Sequence, residues 1–123
     1  MKTEHEYNAM FQALVDIRKN LNGTISSLDE HIRRAQLELV ENSFQEQKDA
    51  LAECLKGIDR ELIKLSVYIE EHQRLHASLK ELNEKRIPEL GGTPLAMPEA
   101  IAGDTLATIL AERIDYLRAE GKL

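Results

Sequence analysis

The stretch Leu51-Ala52-Glu53-Cys54-Leu55-Lys56-Gly57-Ile58-Asp59-Arg60-Glu61-Leu62-Ile63-Lys64-Leu65-Ser66-Val67-Tyr68-Ile69 decides the fold class. Leu51, Leu55, Ile58, Leu62, Leu65 and Ile69 alternate steps of four and three residues, so they share one face of an α-helix. The frame continues through His72, His76 and Leu79, and Leu75 and Leu82 widen its end. The first strong breaker downstream is Pro88.

Upstream, the stripe changes phase between residues 40 and 47, where Leu37, Val40, Phe44, Gln47 and Leu51 carry it across. A shift of this kind in an unbroken helix is a stutter, which locally unwinds a supercoil. With neither Gly nor Pro present, the pattern favours one continuous helix. The alternative is a break at Asn42-Ser43, because Ser43 and Glu46 match a capping box.

Further upstream, Tyr7, Met10, Leu14, Ile17 and Leu21 form a helical stripe, and Ile25, Leu28, Ile32, Ala35 and Leu39 form another. Between them Asn22-Gly23 reads as a C-terminal stop, and Ser27 with Glu30 as a capping box for the next helix. This predicts an N-terminal hairpin of two helices, the first short and the second running on from about residue 26 to 86.

Beyond the long helix, Pro88, Gly91, Gly92, Pro94, Pro98 and Gly103 mark a connector. Asp104 then caps a final helix whose Leu106, Ile109, Leu110, Ile114 and Leu117 share a face. The expected architecture is therefore all-α: residues 1–87 as hairpin and long coiled-coil-like helix, 88–103 as Pro/Gly connector, and 104–123 as an amphipathic C-terminal helix.

Composition agrees. Of the 123 residues, 42% are apolar, 31% charged and only 4% aromatic, with no Trp. A Leu-, Ala-, Glu-rich and aromatic-poor chain excludes a β-sandwich, a barrel and a disulfide scaffold. The net charge is −6. Residues 1–25 and 51–87 are charge-balanced, and residues 26–50 and 88–123 are acidic. No basic block exists to replace phosphate counterions, which argues against nucleic-acid binding. No apolar run approaches the roughly 20 residues that span a bilayer, and the N-terminus carries no signal-peptide core, so no membrane role is expected. A single cysteine, Cys54, suits a reducing compartment, and a cytoplasmic location is the expectation.

A helix over residues 26–86 would be roughly 90 Å long, against a radius of gyration of about 14 Å for a compact chain of this size. In such a rod the stripe of Leu51, Leu55, Ile58, Leu62, Leu65, Ile69, Leu79 and Leu82 would lie bare in a monomer. Each of these side chains is worth about 1.5–3 kcal/mol when buried. A second copy of the chain is the expected cover, with a dimer favoured.

The sharpest chemical motif is His72 and His76, spaced to face the same way and therefore weak candidates for a shared Zn²⁺. No Glu follows His72 as it would in a zinc-protease helix, and no Glu is followed by His three residues on as in di-metal bundles. Both histidines read more simply as polar seam positions, as does Asn83 in the same frame. Cys54 lies beside the apolar stripe and has no His within one turn. The chain is expected to be neither an enzyme nor a cofactor binder.

Three functions follow from this reading. One is self-association as a scaffold, adaptor or regulatory subunit. Another is a small helical chaperone or antagonist holding a partner helix in an apolar groove. The last is a metal- or pH-responsive bundle using His72 and His76. The C-terminal helix is expected to dock, in cis or in trans, with a protein partner as the alternative.

Overall fold

The computed structural model describes the backbone over residues 2–41 and 44–119, and side chains over residues 3–37, 49 and 52–115. The described residues form an all-α fold without strands: α1 (Lys2–Glu41), α2 (Phe44–Glu81), a π-helical turn (Leu82–Arg86), the single-turn α3 (Ile87–Glu89) and α4 (Thr105–Ala119).

The N-terminal hairpin expected at Asn22-Gly23 does not form. α1 runs straight through both residues. The stripes on either side are in register, since Leu21 and Leu28 stand one heptad apart and both are buried. A turn there would have split a continuous core face. Gly23 is an ordinary helical residue with open space around its Cα, and the helix tolerates it at a cost of about 1 kcal/mol against Ala. Hydroxyls beside it bond back within the helix: Thr24 Oγ1 donates to Asn20 O at 2.8 Å and Ser26 Oγ to Asn22 O at 3.3 Å.

The long helix over residues 26–86 is replaced by two antiparallel helices. Asn42-Ser43, the alternative break, lies outside the described residues, but α1 and α2 on either side of it run in opposite directions. Arg86 meets Glu6 at 3.5 Å near one end, and His31 meets Glu61 at 3.9 Å towards the other. The phase change in the stripe therefore marks a reversal of the chain and not a stutter. At Gly57 the two helices approach so closely that an added Cβ would sit 2.6 Å from the His31 ring.

α2 ends in a distortion with a local cause. Pro88 has no N–H to bond Glu84, and its ring would clash with that carbonyl in a regular α-helix. The preceding turn widens instead, and Ile87 N–H bonds Leu82 O. After α3, Gly91 adopts φ +81. Gly92 N–H reaches back to Ile87 O at 2.9 Å and Gly91 N–H to Pro88 O at 3.0 Å, the paired bonds that close a helix C-terminus around a left-handed residue. This turn reverses the chain, and residues 93–103 run back over the hairpin as an extended strap before α4 begins.

The core is in two parts. Tyr7, Leu14, Leu79, Leu82 and Ile87 form one cluster, with Met97 of the strap packed on it. Leu21, Leu28, Leu65, Ile69, Ile101 and Ile109 form the other. Strap and α4 thus supply core residues to a hairpin that would otherwise be open on one side. That removes the premise of the expected dimer seam. Leu65, Ile69, Leu79 and Leu82 are buried within the chain, and Ile58 and Leu62 are partly buried against the same core. Leu55 stays 58% exposed, and the Leu51 side chain lies outside the described residues. In α4, Ile109 is buried, Leu106 packs on the core and Leu110 is half-buried. Ile114 is 42% exposed, and the Leu117 side chain lies outside the described set.

Candidate functional site: a groove that grips a main chain

Between the two apolar clusters the hairpin presents polar side chains to the strap, and almost all of them bind its backbone. Asn83 sits in the π-helical turn, 3% exposed, and makes a two-way pair: its Nδ2 donates to Leu95 O at 2.8 Å while Leu95 N–H donates to its Oδ1 at 2.7 Å. Tyr7 OH donates to Ala96 O. His76 Nε2 bonds Pro98 O at 2.9 Å, and because a carbonyl can only accept, the proton is on Nε2. Arg18 Nη2 donates to Glu99 O at 2.8 Å and Gln73 Nε2 to Ile101 O at 3.2 Å. Five strap carbonyls and one amide are gripped by side chains from both helices.

The strap can be held this way because it is extended. A helix or sheet would use these carbonyls internally, but Pro94 and Pro98 keep the segment out of helix and leave its polar groups free. Its side chains divide by face. Met97 and Ile101 enter the two core clusters, whereas Leu95, Ala96, Glu99 and Ala100 stay exposed. The groove therefore reads an extended chain by its main chain and checks two apolar side chains four residues apart. Beyond the strap, Arg113 of α4 anchors on Asp29 of α1 through two bonds, at 2.9 and 3.1 Å.

Beneath the strap lies His72, with 0% of its surface exposed and neither ring nitrogen hydrogen-bonded. Its ring lies 6.2 Å from that of His76, nearly parallel. Burial pushes the His72 imidazole below its ordinary range, and the positive charge of Arg18 and the neighbouring His76 push the same way. Burial likewise pushes the Tyr7 phenol up. His72 and His76 do adjoin, as their spacing predicts, but His76 commits Nε2 to the strap. Among the described residues no group of three His, Cys, Asp or Glu side chains is placed to hold a metal ion. No helix is long and apolar enough to cross a membrane among them.

Tyr7, Arg18 and Gln73 were not legible as site residues. Tyr7 reads as one apolar position of a stripe, and Arg18 and Gln73 as solvated helix positions. The usable signal was the interruption of the apolar stripe by His72, His76 and Asn83 on the face that must be covered. Polar residues that persist on such a face need partners, and a chain segment rich in Pro has free carbonyls to offer.

No protein-family model, curated protein or solved structure matches the chain.

Proposed function

We propose that this chain is a non-enzymatic protein-interaction module whose α1–α2 groove holds an extended peptide segment, with its own strap as the resting occupant. The observation that carries the reading is the gripping of five strap carbonyls, those of Leu95, Ala96, Pro98, Glu99 and Ile101, by Asn83, Tyr7, His76, Arg18 and Gln73. Side chains that serve only to fill a core are apolar. Here the covered face instead keeps donors aimed at a main chain, the way peptide-recognition surfaces obtain affinity independent of sequence. The expected ligand is thus an extended, Pro-containing segment, and not the partner helix of the chaperone or antagonist alternative. An adaptor or regulatory role follows, because the occupant of the groove can change.

The test uses the full chain carrying Ile101→Asp, which places a carboxylate in the second core cluster and undocks the strap. A labelled peptide with the wild-type sequence of residues 93–104 should bind this variant saturably in an anisotropy titration. Binding should weaken at least tenfold on adding Asn83→Ala, and the unmodified chain, its groove filled in cis, should bind the peptide far more weakly. A peptide that fails to bind, or binds equally well without Asn83, would refute the proposal.

A further inference from the structure

The turn that delivers the strap to its groove has the properties of a hinge. Every residue from Pro88 to Ala96 is exposed, including Leu90 at 61%. The reversal depends on a few backbone bonds at Leu90, Gly91 and Gly92. Opening it bares one core residue, Ile87, on which Gly92 packs, and leaves those backbone groups free to bond water. All the large contacts lie beyond it, in the strap and α4: Met97 and Ile101 in the clusters, the row of gripped carbonyls, Ile109, and the Arg113–Asp29 pair.

We infer that the strap and α4 are exchangeable between chains, so that two copies associate by each seating residues 93–119 in the other's α1–α2 groove. This rests on the groove reading above and names its occupant, a second copy of this chain. That occupant matches by construction, since every contact made in cis is available unchanged in trans and only the turn differs. The remaining requirements are also met. The helical run from Phe44 to Glu89 ends at Gly91-Gly92, two residues able to take either a reversed or an extended conformation. Pro94 and Pro98 keep the released strap extended and ready to dock. Self-association is thus retained, but through exchange of the C-terminal segment and not through a bare coiled-coil seam.

Reach supplies the lever. From Asn83 the helical run climbs about 10 Å to Leu90. Residues 91–95 must recover that height, and five extended residues span roughly 17 Å. Removing Gly91 and Gly92 leaves about 10 Å, with nothing spare for the turn itself. The shortened chain can no longer fill its own groove, but it can fill another's.

The experiment combines this deletion with a charge exchange. One full-length chain carries Asp29→Arg, the other Arg113→Asp. In cis, each holds a like-charged pair between α1 and α4. In an exchanged heterodimer both pairs are opposite in sign. Both chains also lack Gly91 and Gly92, and they are mixed, co-refolded and analysed by native mass spectrometry and light scattering. The expected result is a dimer in which the ratio of heterodimer to homodimers rises about fivefold above its statistical value, as two partly exposed ion pairs can supply. Monomers, or dimers that mix statistically, would overturn the inference. If the shortened chains do not fold, the same charge-exchanged pair with its turn intact is co-refolded at high concentration and judged on the same ratio. Loss of exchange with peptide binding retained would strike only this inference. Loss of peptide binding by the groove would strike the proposed function.

Discussion

Replacing Asn83 with Ala removes the one side chain that both donates to and accepts from the strap. The two bonds, at 2.8 and 2.7 Å, are each worth about 1 kcal/mol net. Leu95, their partner, is exposed, so its freed N–H and C=O can find water, and the larger penalty for stranded groups does not apply. The expected loss is about 2 kcal/mol, or roughly 30-fold in the equilibrium between docked and released strap. Because the contacts between α1 and α2 do not run through the turn, release should be local. The strap is held by its carbonyls, so the amides that report its release are those of α4: their exchange should accelerate about 30-fold, while the central parts of α1 and α2 change much less. Asn83→Asp is a sharper isosteric control. It keeps the acceptor for Leu95 N–H but sets a second oxygen against Leu95 O, so the protection of α4 should fall further at neutral pH and recover as acid protonates the carboxyl. Uniform acceleration across all helices would mean that strap and hairpin open only together. A change below about threefold would mean that the Asn83 pair contributes nothing beyond what water supplies, and either result refutes the reasoning.

Three further outcomes are expected. His72 is held neutral in the fold, with its proton affinity lowered by burial and then by Arg18 of α1 and His76 of α2. The unfolded chain takes up a proton near pH 6.5, so stability should be full above that value and fall as the pH drops below it. Replacing His72 with Leu should flatten this slope in denaturant titrations and leave stability at pH 7.5 unchanged or raised, since two unbonded ring nitrogens are removed; an unchanged slope would exonerate His72. Gly23→Ala should raise stability by about 1 kcal/mol, because the residue is mid-helix with open space around it, whereas a turn at that position would make the same change destabilising. Gly91→Ala should lower stability by about 1–2 kcal/mol, since φ +81 disfavours any Cβ, and thermal melts of the two variants should shift in opposite directions.

The helical periods around Leu65, Leu14 and Ile109 determined by themselves that the chain is all-α, because alternation of three and four is a property of one segment and needs no partner. The final helix and the Pro/Gly segment before it were legible for the same reason: Pro88 and Gly91 act on their own backbone. Where the chain reverses was decided only by tertiary packing. Asn22-Gly23 carries the stronger local stop signal, yet Leu21 and Leu28 share a buried face across it. Burial of a continuous stripe outweighs about 1 kcal/mol of glycine propensity. The reversal lies instead where the stripe loses phase, a signal that a stutter and a turn produce alike. The covering of Leu65, Ile69, Leu79 and Leu82 was equally out of reach, since a period shows that a face must be covered and not what covers it. The groove was the least legible part, because Asn83, His76 and Gln73 gain their meaning from strap carbonyls up to 28 residues away. Tyr7 and Arg18 meet theirs from 81 to 89 residues away. Main-chain atoms are the same at every position, so their pairing with particular side chains leaves no trace in the residue types and exists only in the folded chain.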